Sequence, residues 1–189
     1  RNKAITDLFE PGATMKPLTI AAALESGEYT VNSTIDTSPG FRRFGRFTIR
    51  DHRNYGVLDL TEIIVKSSNV GVSNIATDLG GDTLRNLYAR LGLGQATGIG
   101  FPGEAVGVLP APPKWRPVEE STLSYGYGMS VNALQLAQAY MVIANGGIRY
   151  PLSLMRQEQR PQGQRVLSEQ VTRAVRDMLK QAVARGTGK

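Results

Sequence analysis

Apolar and polar positions fall into blocks of helical spacing separated by short alternating or glycine-rich stretches. From Ala13 to Ser26 the chain supplies strong helix formers, with Pro11-Gly12 punctuating the start and Gly27 the stop. LDLTEIIVKSSNVGVSNIATDLGG (58–81) carries one apolar stripe at Leu60, Ile63 and Ile64. A second runs through Val72, Ile75, Ala76 and Leu79, which predicts two helices around KSSN. DTLRNLYARLGLG (82–94) predicts a third, with Asp82 as its N-cap and Gly92 at its end. NALQLAQAYMVIANGG (132–147) is amphipathic and ends in a glycine pair, and a last helix is expected from Ser168 to about Ala184.

Between these blocks, residues 29–58 read as short strands and turns. FRRFGRFTIRDHR (41–53) alternates as a hairpin would, with Gly45 in the turn. Residues 95–120 are rich in Gly and Pro and predict a long surface connection. SYGYGMSV (124–131) reads as an extended segment that projects Tyr125 and Tyr127 on one face. The strands are scattered and have no evident partners, so a mainly helical chain without an internal repeat or interdomain linker is expected.

Composition adds a few exclusions. With 189 residues, 41% of them hydrophobic and 20% charged, the chain can bury a sizeable core and is not of disordered type. There is no cysteine and a single histidine, His52, so disulfides, thiolate metal sites and histidine clusters are excluded; no metal or cofactor is expected. No apolar run approaches the ~18 residues that cross a bilayer. The opening RNKAITDLFEP has neither the apolar core nor the cleavage site of a signal peptide and reads as the interior of a longer protein. The net charge of +6 concentrates at Arg42, Arg43, Arg46, Arg50 and Arg53, interleaved with Phe41, Phe44 and Phe47. That mixture could neutralise phosphates and stack bases, but no nucleic-acid motif accompanies it, and the hairpin reading stands without a nucleic-acid partner.

Three stretches carry candidate chemistry. In FEPGATMKP (9–17) a hydroxyl at position 13 would lie at a helix N-terminus, where the helix dipole stabilises negative charge. Lys16, three residues on, shares its face, and a desolvated lysine there could take the hydroxyl proton. Position 13 is alanine, and Thr14 points to another face. In KSSN, Ser67 and Asn69 could relay a proton and bind a peptide amide, or simply form a cap or Asx turn. The Tyr-Gly alternation at Tyr125 and Tyr127 suits a groove wall or a packed strand edge. GLGQATG (92–98) follows a helix and lacks the strand context of a dinucleotide site. The terminal RGTGK lacks the spacing of a phosphate loop.

Taken together, EPG-A-TM-KP, KSSN and YGYG resemble the class B penicillin-binding proteins, with alanine where their Ser-x-x-Lys motif has serine. TGIGFPGE and the Trp115 region resemble the cell-division members, the septal peptidoglycan transpeptidases, and the likeness covers essentially the whole chain. It implies an α/β (α+β) fold of the penicillin-binding protein and serine β-lactamase type. An antiparallel sheet would be covered by helices, with residues 1–189 supplying mainly the helical part. It implies acyl transfer through a serine ester, with position 13 (Ala13) as the nucleophile's place, Lys16 as base, Ser67 as relay and Asn69 as amide ligand. Glu10, Tyr125 and Tyr127 would stand near the substrate. Stem peptides ending in D-Ala-D-Ala would be substrates and β-lactams inhibitors. Divisome membrane proteins would be partners, at the periplasmic face of the bacterial inner membrane, with an anchor helix before Arg1.

Two departures qualify the likeness. Ala13 has no hydroxyl, so the chain as given is expected to be inactive, though its backbone N–H could still serve half an oxyanion hole. The methyl reads as deliberate replacement of a serine, since an intact Lys16, Ser67 and Asn69 set has little reason to persist without one; a natural pseudoenzyme is the alternative. The third family motif, Lys-Thr-Gly or Lys-Ser-Gly, is absent from the 189 residues, and TGK (187–189) has the reverse order. A partial transpeptidase domain with sheet-facing apolar surface left uncovered is therefore expected. Two rival readings are a non-catalytic peptidoglycan- or divisome-binding module and a β-lactamase relative; no carboxylate stands in a recognisable deacylation motif, and Glu104, Glu119 and Glu120 in the long loop keep the latter open.

Overall fold

One helix organises the chain. Pro11-Gly12 breaks the preceding segment, a 3-10 turn spans Gly12–Met15, and helix α2 continues over Lys16–Glu25. Every residue from Lys16 to Ala23 is buried, as expected for a helix with good formers and no polar face. Met15, Leu18, Ala21 and Ala22 face one apolar cluster, with Leu84, Tyr88, Val142 and Val175. Ile20 and Ala23 face the other, with Ile63, Val72, Ile75 and Met178. The run Ala21-Ala22-Ala23 lets neighbouring backbones approach closely. Truncating Leu18 or Ile20 to alanine would cost ~2–5 kcal/mol.

The computed structural model describes residues 2–153, 158–159 and 161–186; TGK (187–189) lies outside them. Four-residue α1 (Lys3–Thr6), capped by Asn2, precedes the central helix. Strands β1 (Thr34–Asp36), β2 (Phe41–Phe44), β3 (Phe47–Arg50) and β4 (Val57–Asp59) follow α2. They lead to α3 (Leu60–Lys66), α4 (Asn69–Leu79), α5 (Gly81–Arg90), α6 (Pro117–Ser124) and α7 (Ala133–Ala144). Strands β5 (Ile148–Arg149) and β6 (Gln164–Arg165) then precede α8 (Glu169–Arg185). Among the described residues no helix is long and apolar enough to cross a membrane.

The strands do find partners, against the expectation. β1 pairs with β4, β2 with β3 and β5 with β6, each antiparallel and two-stranded. The pairing of β1 with β4 encloses the β2–β3 hairpin, and a long-range pair of three-residue strands leaves no sequence period to read. The hairpin itself is as expected: Phe44 opposes Phe47 across a two-residue turn whose first residue, Gly45, has φ +59°.

Helix boundaries follow their caps. Asp59 and Glu62 form a capping box at α3, and Asn132 and Gln135 do so at α7; Ser168 accepts from the Val171 N–H at α8. Asp82 is not the N-cap of α5. Its carboxylate accepts from Trp115 Nε1 at 2.8 Å, and the Gly81 N–H is satisfied by Glu120 from α6 at 2.6 Å. Helix α6 also replaces the end of the expected loop; Pro117 suits a first helical turn, where its missing N–H costs nothing. The loop that remains is pinned by side chains. Buried Gln135 donates to the carbonyls of Gln95 and Val106, Asn132 to that of Ala105 and Arg85 to that of Pro110.

Candidate active site

The site assembles where α2 begins, where α3 ends and where α6 runs out. Residues 12–15 form a 3-10 turn, in which positions three apart eclipse one another, so Ala13 stacks directly before Lys16. Ala13 is exposed at the surface. Thr14, the neighbouring hydroxyl, donates to the Pro11 carbonyl at 2.8 Å and is occupied there.

Lys16 is only 4% exposed. Its ammonium donates to Ser67 Oγ at 2.7 Å and to the Ser67 carbonyl at 2.8 Å. Burial pushes its pKa down to about 8, and the charge of Asp51 pulls it partly back. Two neutral acceptors and one carboxylate at a distance do not repay the loss of water, so the amine is poised near neutrality.

Ser67 can receive Lys16 because α3 stops there. It is the helix C-cap, with φ 55° and ψ 50°, and the one described non-glycine residue at positive φ. A left-handed serine costs about 1 kcal/mol, and such strain is commonly found at functional positions. Ser68 then caps α4, accepting from Gly71 N–H at 2.9 Å while donating to Asp51 Oδ2 at 2.6 Å. Asp51 Oδ1 accepts from the Val70 N–H at 3.1 Å, and Asn69 Nδ2 donates to the Arg50 carbonyl at 3.1 Å. The end of β3 thus fixes the whole Ser67–Asn69 turn. Asp51 is the residue that sequence reasoning missed; its only signal was a lone carboxylate at the end of a basic run.

Tyr125 and Tyr127 come together, but not as an extended strand. Gly126 and Gly128 both have positive φ, +82° and +74°, and the segment coils as it leaves α6. Tyr125 is 9% exposed and sits in an apolar cluster, whereas Tyr127 is 49% exposed. Their rings meet edge to face with centroids 5.5 Å apart. The loop lies directly on the start of α2. Gly12 N–H donates to the Gly126 carbonyl at 3.1 Å, and a β-carbon on Gly126 would come within 2.3 Å of Gly12 O. The hydroxyl of Tyr127 stands 3.7 Å from where a Gly12 β-carbon would be. Glu10 completes the clasp by accepting from the Gly128 N–H at 2.8 Å. Below it, Thr19 Oγ1 donates to the Ser124 carbonyl at 2.7 Å and meets Tyr88 OH at 2.7 Å. That buried network fixes α6 against α2.

The structure therefore joins Lys16 to Ser67 directly, sets Asn69 on the same turn with its amide held by β3, and places Glu10, Tyr125 and Tyr127 in one loop contact over Gly12. The three carboxylates weighed for a deacylating role are engaged elsewhere: Glu104 with Thr97 N–H, Glu119 with Arg116 and Glu120 with Gly81 N–H. Among the described residues no group of three or more His, Cys, Asp or Glu side chains could hold a metal ion.

The chain is similar to known proteins of one family. A family model described as the penicillin binding protein transpeptidase domain matches residues 1–189. The chain is 40% identical over 179 residues to the probable peptidoglycan D,D-transpeptidase PenA of Neisseria gonorrhoeae, covering 95% of this chain and 30% of that protein. It is 40% identical over 188 residues to the peptidoglycan D,D-transpeptidase FtsI of Escherichia coli K12, covering 100% of this chain and 32% of that one. The chain thus spans about a third of the length of these relatives. A solved structure of the TP domain of Burkholderia pseudomallei penicillin-binding protein 3 superposes with a TM-score of 0.93 at 41% identity, covering 99% of this chain and 57% of that one. The mixed helix and strand architecture is that of this fold, in a helix-rich portion of it.

Proposed function

Because the chain belongs to the penicillin-binding protein transpeptidase family, we propose that it is part of a peptidoglycan D,D-transpeptidase domain whose nucleophile position carries alanine. The observation that carries this reading is the contact of buried Lys16 with Ser67 Oγ at 2.7 Å, one helical turn beyond position 13. With a serine at position 13, neutral Lys16 would take the hydroxyl proton while the oxygen bonds to the penultimate D-alanine carbonyl carbon. Ser67 would relay that proton to the departing amine as the peptide C–N bond breaks and D-alanine leaves. A stem-peptide amine would then attack the ester carbonyl and pass its proton through Lys16 to the serine oxygen as the ester C–O bond breaks, which forms the new peptide bond and restores the hydroxyl. Asn69 would hold the substrate amide, and Tyr125, Tyr127 and Glu10 would shape the wall above Gly12. β-Lactams would acylate the same oxygen. The resemblance of TGIGFPGE and the Trp115 region to the septal transpeptidases, together with similarity to the peptidoglycan D,D-transpeptidase FtsI, supports a septal role at the periplasmic face of the inner membrane with divisome partners.

Ala13 offers no lone pair for this chemistry. That methyl favours a second reading for the chain as it stands, a non-catalytic peptidoglycan- or divisome-binding module on the same fold. One experiment separates the two. Residues 1–189 replace the matching segment of a full-length relative, which supplies the Lys-Thr-Gly strand, and position 13 is tested as alanine and as the Ala13→Ser variant. Covalent labelling by a fluorescent penicillin is expected only in the serine form. A folded Ala13→Ser chimera that stays unlabelled would sink the transpeptidase reading and favour the binding module.

A further inference from the structure

The basic hairpin has an order that its composition does not require. The register opposes Phe41 to Arg50, Arg42 to Ile49 and Arg43 to Thr48, so alternate residues divide between two faces. The inner face carries buried Ile49 and Arg42, whose guanidinium donates to Ser73 Oγ at 2.8 Å and Thr77 Oγ1 at 3.2 Å. The outer face gathers Phe41, Arg43 and Arg50, with both guanidiniums over the Phe41 ring at 5.7 and 5.6 Å from its centroid. Beyond β3 the arrangement repeats: Arg53 and Lys66 lie over the ring of Tyr55 at 5.5 and 5.9 Å. Two aromatic rings thus hold four cations, and all four are exposed.

None of the four forms an ion pair among the described residues, where the pairs are Arg116–Glu119 and Arg173–Glu169. Asp51, the nearest acid in sequence to Arg50 and Arg53, is spent on Ser68 and Val70, and Glu62, four residues before Lys66, accepts from the Asp59 N–H. Like charges drawn together without a counter-charge repel, and a bound anion would relieve that repulsion. The patch also adjoins the active site. Arg50 receives the Asn69 amide on its carbonyl, and Lys66 immediately precedes Ser67.

We propose that this outer face, Arg43 and Arg50 on Phe41 with Arg53 and Lys66 on Tyr55, binds side-chain carboxylates of a peptide substrate entering the Ser67–Asn69 turn. The proposal rests on the transpeptidase reading and adds to it a substrate class, a peptide acidic away from its reacting end. Planar guanidiniums braced on a ring present their edges outward, which suits bidentate carboxylate binding. Nucleic acid fits less well, because base stacking needs open aromatic faces and each ring is already covered by two cations.

The test is fluorescence anisotropy with two labelled peptides ending in D-Ala-D-Ala, one with two free side-chain carboxylates and the other with both amidated. The parent chain is expected to bind the acidic peptide at least tenfold more tightly at low salt, with the preference shrinking as salt rises. Arg43→Gln with Arg50→Gln removes most of that preference, and Arg43→Glu with Arg50→Glu reverses it towards a lysine-bearing peptide. Both variants retain the parental circular dichroism, because the altered side chains are exposed. Equal binding of the acidic and amidated peptides by the folded parent overturns the proposal. So does a pair of Gln substitutions that abolishes binding to phosphatidylglycerol vesicles or duplex DNA while leaving the peptide preference intact. Penicillin labelling of the Ala13→Ser chimera separates the two levels. Labelling without carboxylate preference sinks the hairpin proposal alone, whereas preference without labelling sinks the transpeptidase reading and leaves an acidic-peptide site.

Discussion

Lys16 and the hairpin cations lie at either end of one hydrogen-bonded turn, yet they meet opposite environments. Lys16 is buried, held by the two oxygens of Ser67, and its ammonium pays heavily for lost water. Arg43, Arg50, Arg53 and Lys66 stand in solvent against aromatic rings, keep their hydration and have no carboxylate partner among the described residues. Burial turns a cation into a proton acceptor, whereas exposure keeps it a fixed charge for recognition. Depth separates the roles of the two lysines, Lys16 and Lys66, whereas the guanidiniums stay charged in either setting.

Removing the buried member gives the largest effect. In the Ala13→Ser chimera, Lys16→Met is expected to slow penicillin labelling by ~10²–10⁴-fold, the usual range for a lost general base; a rate within threefold of the parent would mean that another group takes the proton. The second effect is on stability. The folded value for Lys16, about 8, lies below its ordinary 10.5. Between these pH values the unfolded chain holds a proton that the folded one has shed, so the contribution of Lys16 to stability rises with pH across that window. Urea denaturation of the parent and Lys16→Met should show the difference shifting by about 3 kcal/mol in the parent's favour from pH 8 to 10.5. A difference flat with pH would show that the amine is not desolvated.

Smaller changes probe the link between the two regions. Asp51→Asn weakens the bonds to Ser68 and Val70 and is expected to cost about 1–2 kcal/mol. Because the Asp51 charge raises the Lys16 value, the same variant should move the Lys16 titration, followed by NMR, to lower pH. An unmoved titration would uncouple the turn from the base. The smallest effect is reserved for the outer face, where Arg53→Gln should change the thermal midpoint by an amount equivalent to less than ~0.5 kcal/mol. A larger loss would show that the arginine supports the fold as well as recognition.

Legibility in the sequence followed the range of the forces involved. Local signals placed α2, α3, α4, α7, α8 and the hairpin, because each carries its own period, cap or turn residue. Two local signals misled. Asp82 looks like an N-cap, but a carboxylate from α6 reached the Gly81 N–H and left Asp82 to Trp115. Tyr-Gly alternation looks extended, but positive φ at Gly126 and Gly128 coils it over Gly12. Helix α6 was hidden because its eight residues carry no clear apolar stripe and follow a proline-rich run. The β1–β4 pair was hidden because its partners are three residues long and twenty apart in the chain.

By itself, the sequence determined the helical register that stacks position 13 before Lys16, the break between α3 and α4, and the alternation that segregates the hairpin's cations. These depend on torsions and spacings that a few consecutive residues control. Tertiary structure alone decided that Lys16 is dry, that Ser67, 51 residues away, reaches it, and that Asp51 holds the turn between them. The reason is that proton affinity depends on the water excluded and the charges nearby, and residues distant along the chain supply both.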